Sequence, residues 1–234
     1  MEKLISLSNI LNLVNLGYSP LSKICQIQST KTKIFLFLSS NDLLIYDTTT
    51  SKPKHHHFCS KVTKIYTFQE KFFILRGKEL ILFNADNLTE TEKIDLRENA
   101  YDISFIDTQK TLSFIYITES NEIKYMNKNR ITEVKKLYKE MSPIKKIIYQ
   151  DNILLWVTKQ FLKVFNLQSK IMLLKKEFQF NNTSNNVDVS VNCYLYNNVL
   201  CIVYNKENLF VYYLNINNKD QPNNDNKKHM KYVT

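Results

Sequence analysis

A strand pair that recurs about every 40 residues constrains the fold of this chain more than any other sequence feature. The clearest copy lies within residues 152–177, where the apolar runs Ile153–Val157 and Phe161–Phe165 are separated by three polar residues. Short runs of β-branched and aromatic residues separated by polar turns are typical of strand hairpins. Each copy therefore predicts two paired strands.

The copies align on the aromatic residue near the end of their second run. These residues are Tyr46, Phe83, Tyr125, Phe165 and Tyr212, and the steps between them are 37, 42, 40 and 47 residues. A period near 40 residues with several strands per unit matches the blade of a β-propeller, which has roughly 40–45 residues.

Each copy is preceded by one more predicted strand, and most copies are followed by another. The predicted first strands are Lys23–Ile27, Val62–Phe68, Tyr101–Ile106, Ile144–Tyr149 and Val187–Tyr196. The predicted fourth strands are Thr91–Leu96, Thr132–Tyr138 and Ile171–Phe178. The sequence thus predicts an all-β fold, a β-propeller of four-stranded blades with about five blades visible. An all-β sandwich whose hairpins share this spacing by chance is the competing architecture.

Composition suggests where the propeller ends. We predict a β-propeller over residues 1–214 and a polar, disordered tail or linker over residues 215–234, where Asn, Lys and Asp dominate. Residues 1–20 are apolar but interrupted by asparagines, so we expect a short packing element rather than a signal peptide. The sequence has no apolar stretch long enough for a transmembrane helix.

The chain is basic, with 32 Lys and Arg against 22 Asp and Glu and a net charge of +10. A basic balance can indicate a nucleic acid or an anionic membrane surface. The basic residues are scattered, however, and lysine usage biased by composition explains much of the charge. The candidate contacts for an anionic partner are Lys135, Lys136, Lys139, Lys145, Lys146, Lys175 and Lys176.

Three consecutive histidines and a nearby cysteine are the strongest metal-ligand signal, because imidazole and thiolate bind zinc and copper. They are His55, His56, His57 and Cys59. Successive side chains of a strand point to opposite faces, so at most two of the histidines converge. We therefore predict an exposed loop or edge strand here, and no metal site.

No catalytic motif is recognisable. Phosphate-binding glycine motifs are absent, and Gly77, one of two glycines in the chain, is predicted to serve a hairpin turn. The nearest carboxylate cluster is Asp95, Glu98 and Asp102, which we expect to line a loop between blades. We predict that the protein is not an enzyme, with no catalytic residues and no cofactor.

The four cysteines lack metal or redox spacing, and they are Cys25, Cys59, Cys193 and Cys201. They are interpreted as buried free thiols of a reducing compartment. The single tryptophan, Trp156, lies in an apolar strand and is expected in the core, with an exposed partner-binding anchor as the alternative.

Three segments carry a resemblance to a known family: KVTKIYTFQEKFFILRGKELILFNADNL, LSFIYITESNEIKYM and SPIKKIIYQDNILLWVTKQFLKVFNLQS. Their hydrophobic pattern resembles the citron-homology (CNH) β-propeller, as found at the N-terminus of vacuolar and endosomal sorting tether subunits of the HOPS/CORVET type. WD40 repeats are similar, but Tyr46-Asp47, Phe83-Asn84 and Phe165-Asn166 stand where those repeats have Trp-Asp. Propellers of that family usually have seven blades, so the resemblance implies either an incomplete seven-bladed propeller, as the N-terminal portion of a longer product, or a reduced stand-alone propeller.

The same resemblance implies a non-enzymatic scaffold for protein–protein interactions in membrane tethering and vesicle trafficking. The implied partners are other subunits of a larger complex and a Rab-type small GTPase. The implied location is cytoplasmic, with peripheral association with endosomal or vacuolar membranes. The basic charge motivates an alternative, an RNA-associated WD40-like propeller that is a non-catalytic subunit of an RNA-modifying or ribonucleoprotein complex.

Overall fold

The structure is a computed structural model that describes residues 22–47, 53–107, 111–130, 133–177, 191–196, 199–204 and 208–213. The chain forms two compact units, Met1–Arg97 and Glu98–Thr234, which are described here one at a time. The two predicted terminal segments, residues 1–20 and 215–234, lie outside the described residues. Their assignment stays a prediction.

The first unit contains two four-stranded antiparallel sheets in which chain neighbours are paired. The first sheet consists of β1 (Ile24–Ser29), β2 (Lys33–Leu38), β3 (Asp42–Asp47) and β4 (Lys54–His57). The second consists of β5 (Lys64–Phe68), β6 (Lys71–Arg76), β7 (Glu79–Asn84) and β8 (Thr89–Asp95).

The second unit contains two further four-stranded sheets and a three-stranded sheet among the described residues. The third sheet consists of β9 (Ala100–Ile106), β10 (Ser113–Thr118), β11 (Glu122–Asn127) and β12 (Lys135–Lys139), with a short 3-10 helix at Lys128–Arg130. The fourth consists of β13 (Ile144–Gln150), β14 (Ile153–Thr158), β15 (Phe161–Asn166) and β16 (Ile171–Glu177). The fifth consists of β17 (Val191–Tyr196), β18 (Val199–Tyr204) and β19 (Asn208–Tyr213).

Four of these sheets confirm the predicted fold class, because they are the four-stranded antiparallel blades of a β-propeller. The five aligned aromatic residues, from Tyr46 to Tyr212, all fall in the third strand of a sheet. The predicted first and fourth strands are also present, with ends that differ by a few residues. Among the described residues, no helix is long and apolar enough to cross a membrane.

The core lies between neighbouring sheets within each unit. In the first unit the rings of Phe35 and Phe72 stack with centroids 4.1 Å apart. In the second unit β10 and β14 are buried along their whole length, since both faces of each strand are covered. Both strands are almost continuously apolar in sequence, because neither face of a strand that is covered on both sides contacts water.

The first strand of three sheets carries a β-bulge at its second residue. The pairing register shifts around Cys25 in β1, Tyr101 in β9 and Lys145 in β13. A bulge inserts one extra residue and re-aims the side chains beside it.

Polar residues after these bulges link neighbouring sheets. Gln26 Oε1 accepts the backbone N–H of Ile65 at 2.7 Å in the first unit. In the second unit Asp102 Oδ2 accepts the backbone N–H of Ile147 at 3.2 Å. Both bonds run from the first strand of one sheet to the first strand of the next. They satisfy backbone donors that would otherwise be buried without a partner.

Asparagine ends the third strand in three of the sheets. The Oδ1 atoms of Asn84, Asn127 and Asn166 accept backbone N–H groups two residues ahead, at 2.8, 2.9 and 2.9 Å. An Asx turn of this kind starts the connection to the fourth strand. At Asn84 and Asn166 this explains the Asn that follows an aromatic residue where WD40 repeats have Trp-Asp.

Turns in this glycine-poor chain place other residues at positive φ. Gly77 has φ 58°, as its predicted hairpin position requires, and Asn41, Asn121 and Asn152 have φ between 60° and 66°. Asparagine tolerates this region better than most other residues, which is why it replaces glycine here.

Candidate interaction surface

Charged and aromatic side chains that are distant in the sequence come together at the junction between the third and fourth sheets. Residues 140–143, called the 140 loop below, connect β12 to β13. The backbone N–H of Glu140 donates to the carbonyl of Asn121 at 3.0 Å, which fixes the start of the loop against the turn between β10 and β11.

The carboxylate of Glu140 points inward and binds two donors of the fourth sheet. Trp156 Nε1 donates to Glu140 Oε1 at 2.6 Å, and Lys163 Nζ donates to the same oxygen at 2.5 Å. Trp156 is 0% exposed, which confirms the expected core position and excludes the exposed anchor. A buried charge is tolerated here because its partner is charged and also buried.

Three aromatic rings surround the ammonium group of Lys163. Its Nζ lies 5.3 Å from the ring centroid of Tyr138 and 5.9 Å from those of Trp156 and Phe161. Cation–π attraction adds to the ion pair at this distance. The lysine is therefore held by four side chains from both sheets and strengthens the junction between them.

A second charged group lies on β11 and β12 of the third sheet. Glu122 is within 2.6 Å of Lys136, 3.2 Å of Lys124 and 3.7 Å of Lys139, and Lys124 also pairs with Glu98. Hydrogen bonds from Lys136 and Lys124 lower the pKa of Glu122 to about 2. This carboxylate organises the lysines of β12 at the surface.

The structure divides the seven candidate lysines among three strands. Lys135, Lys136 and Lys139 lie in β12, Lys145 and Lys146 lie in β13, and Lys175 and Lys176 lie in β16. Lys146 Nζ is 3.7 Å from Asp102 Oδ2, and Lys175 Nζ lies 5.0 Å from the ring centroid of Phe161. Several of these lysines thus already interact within the protein. Their contact with an anionic partner stays a prediction.

The three carboxylates expected to line a loop have separate roles. Asp95 Oδ1 accepts the backbone N–H of Arg97 at 2.8 Å, and Glu98 pairs with Lys124. The expectation is wrong for Asp102, which lies inside β9 with 0% exposure. The neighbouring bulge turns its side chain inward, where β13 supplies one backbone donor, the N–H of Ile147.

The histidine segment forms an edge strand, as predicted. His55 Nε2 and His57 Nδ1 lie 3.0 and 2.8 Å from Asp42 Oδ1, while His56 points to the other face and packs on Phe58. Burial raises the pKa of Asp42, but hydrogen bonds from Ser40, His57 and His55 outweigh it and leave the pKa below its usual value. Within the described residues, no group of three or more His, Cys, Asp or Glu side chains is arranged to hold a metal ion.

The interpretation of the cysteines is wrong in part. Cys25, Cys59 and Cys201 are free, but Cys25 and Cys59 are exposed and Cys201 is half-buried. Cys25 is the bulged residue of β1, which explains its exposure within an apolar strand. The side chain of Cys193 lies outside the described residues.

The sequence pattern alone did not reveal Glu140 as the centre of this junction. It stands between Lys139 and Met141 in a segment that resembles an exposed turn. The only available signal was Lys163, a charged residue between Leu162 and Val164 in an apolar strand. Such a lysine needs a buried acidic partner, but the sequence does not say which one.

Comparison with known proteins identifies the fold. No family model matches the chain, and no curated protein matches its sequence. Among solved structures, Hsv2 of Kluyveromyces marxianus matches with a TM-score of 0.56 and 12% identity, over 82% of this chain and 63% of that chain. Hsv2 of Kluyveromyces lactis with a complete loop 6CD matches with 0.57 and 13% identity, over 92% and 66%. Another Kluyveromyces lactis Hsv2 structure matches with 0.53 and 14% identity, over 86% and 62%.

These neighbours are β-propellers, and the likeness supports that fold for this chain. The chain spans less than two thirds of the length of each of the three. At 12–14% identity the likeness concerns the fold alone. It does not single out the citron-homology or HOPS/CORVET type, which stays a prediction.

Proposed function

We propose that the chain is a non-enzymatic β-propeller scaffold that mediates protein–protein interactions in endosomal or vacuolar membrane tethering and vesicle trafficking. Its partners on this proposal are other tether subunits and a Rab-type small GTPase. It acts in the cytoplasm, peripherally on endosomal or vacuolar membranes. The resemblance of three of its segments to the citron-homology propeller supports the choice of pathway.

The buried polar side chains form hydrogen bonds and ion pairs within the fold, which supports the scaffold role. The described residues bury six polar or charged side chains, namely Asp102, Ser113, Thr118, Glu140, Thr158 and Lys163. Thr118 Oγ1 accepts the N–H of Glu122 at 3.2 Å, and Thr158 Oγ1 accepts the N–H of Phe161 at 2.9 Å. Ser113 Oγ accepts Asn127 Nδ2 at 3.0 Å. All six thus stabilise strands, turns and sheet junctions, as a rigid presenting surface requires.

A rigid scaffold of this kind offers its loops to partners. Connections between strands lie at the surface and tolerate sequence change, so they are the usual place for binding residues on a fixed framework. The 140 loop is one such connection, and Glu140 fixes one end of it in the junction between two sheets.

The alternative, an RNA-associated propeller, receives less support from the lysine positions. The seven candidate lysines are divided among β12, β13 and β16. Lys146 lies beside Asp102, which is fully buried, so moving its ammonium group to a phosphate would take it from a buried carboxylate.

Affinity purification of the tagged chain from its own cells, at low and moderate salt, tests the proposal. Recovery of tether subunits or a Rab-type GTPase that withstands the higher salt is the expected result. Recovery of RNA or ribonucleoprotein components that fall away steeply with salt would contradict it. A chain carrying Lys135→Gln, Lys136→Gln and Lys139→Gln is the matched control, since it should lose RNA but keep protein partners.

A further inference from the structure

Met141 is 97% exposed, more than any other large apolar side chain of the described residues. It lies in the 140 loop between Glu140, which is 8% exposed, and Ile144, which is 1% exposed. Both ends of the loop are therefore fixed in the protein, and the methionine between them projects into water. A single exposed apolar residue is common on protein surfaces. The residues that flank Met141 therefore indicate what this loop can bind.

Lysines stand on both sides of this methionine. Lys139 precedes the loop, and its side chain is 55% exposed although its Nζ lies 3.7 Å from Glu122 Oε1. Lys145 and Lys146 follow the loop in β13. An ion pair as exposed as that of Lys139 contributes little, so its ammonium group can turn to another anion at small cost.

From this geometry we infer that the 140 loop contacts anionic lipid membranes directly. Met141 enters the boundary between headgroups and acyl chains, while Lys139 and Lys145 meet the negatively charged headgroups. Apolar insertion and attraction of lysines to anionic lipids act together in interfacial binding. A bilayer accepts a projecting side chain without a pre-shaped pocket, and the flanking charges complement an anionic surface.

Co-flotation with vesicles tests this inference on the full chain. The probes are vesicles of phosphatidylcholine alone and of phosphatidylcholine with about one third phosphatidylserine. We expect binding to the anionic vesicles, reduced about tenfold or more by Met141→Asp and retained by Met141→Leu. The matched control is Ile171→Asp, which places the same charge on another exposed apolar residue, 57% exposed, at the start of β16. This control should bind like the unchanged chain.

A second readout follows the loop itself. Met141→Trp should show a blue-shifted and stronger emission when anionic vesicles are added, whereas the buried Trp156 contributes a constant background. Equal binding by the Met141→Asp and unchanged chains would overturn the inference. So would an equal loss in Ile171→Asp, or no vesicle binding at all, and the loop would then be a candidate contact for a protein. None of these results affects the scaffold proposal, which depends on co-purifying subunits.

Discussion

The indole N–H of Trp156 donates to Glu140 Oε1 at 2.6 Å across the junction of the third and fourth sheets. Lys163 shares this oxygen, at 2.5 Å. One carboxylate, placed just after β12, therefore binds the second and third strands of the next sheet. The junction depends on a charge that neither sheet could bury alone.

Replacing Glu140 by alanine should destabilise the protein by about 3–5 kcal/mol, because Lys163 would stay buried without its counter-charge. The free energy of unfolding can be measured in urea from the fluorescence of Trp156, the single tryptophan. Its emission should also change in the folded state, since the indole loses its acceptor.

The double variant Glu140→Leu with Lys163→Met separates the charge effect from packing. It removes both charges and should be more stable than Glu140→Ala. Glu133→Gln is the matched single control, because Glu133 is 53% exposed and pairs with Arg130 at the surface. If Glu140→Ala were no less stable than Glu133→Gln, the ion pair would have no structural role.

Asp102 should be the main polar link between β9 and β13. Replacing it by alanine removes the acceptor of the Ile147 N–H and of the neighbouring Ile103 N–H, and the partner of Lys146. We expect a loss of about 2–4 kcal/mol in the free energy of unfolding, because buried donors are left without partners. Asp151→Asn, in an exposed turn, should leave it nearly unchanged. Hydrogen exchange of the Ile147 amide would identify the site, and unchanged protection in Asp102→Ala would contradict the assignment.

The turn between β5 and β6 is strained. Gln69 and Glu70 form it with φ of 48° and 59°, whereas the equivalent turn of the fourth sheet uses Asp151 and Asn152 at 49° and 65°. Gln69→Asn should raise the free energy of unfolding by roughly 1 kcal/mol, because asparagine accepts a left-handed backbone more readily. Glu70 is left in place, since its Oε2 accepts the N–H of Lys31 at 2.9 Å. The reverse change, Asn152→Gln, should lower the free energy of unfolding by a similar amount. Thermal unfolding of both variants measures these changes, and an unchanged midpoint in Gln69→Asn would contradict the prediction.

His56 should make stability depend on pH. It packs between Phe58 and Phe83, with ring centroids 4.6 and 5.1 Å away, and burial followed by the charge of His55 lowers its pKa below 6.5 despite the opposing charge of Glu90. The folded state disfavours the protonated form. Its contribution to stability is therefore complete above pH 6.5 and is lost as the pH falls through the lowered pKa.

Urea unfolding at pH 7.5, 6.5 and 5.5 measures this effect. His56→Phe should lose less stability on acidification than the unchanged chain. His57→Gln should keep most of the contribution of His56, because the charge of His57 is the smallest of the causes that shift the pKa of His56. The same slope in His56→Phe and the unchanged chain would show that other groups cause the pH dependence.

The repeat was predictable because it depends on local pattern. Phe83 and Phe165 belong to a set of aromatic residues that recur at a blade-length spacing, and each is the last residue but one of its strand. The edge strand of the histidines and the turn at Gly77 were predictable for the same reason. Successive side chains of a strand alternate between its faces, and glycine accepts positive φ.

The sequence by itself thus determined the strands, their pairing into four-stranded sheets and the positions of most turns. Only the tertiary structure decided which of four side chains are buried and which are exposed, namely those of Cys25, Asp102, Glu140 and Lys163. A bulge sets whether Cys25 or Asp102 points outward, and it depends on the partner strand. Glu140 and Lys163 lie 23 residues apart, and each is buried only because the other is present. Local periodicity cannot encode such a pair, since the free energy of burying either charge depends on a neighbour that only folding supplies.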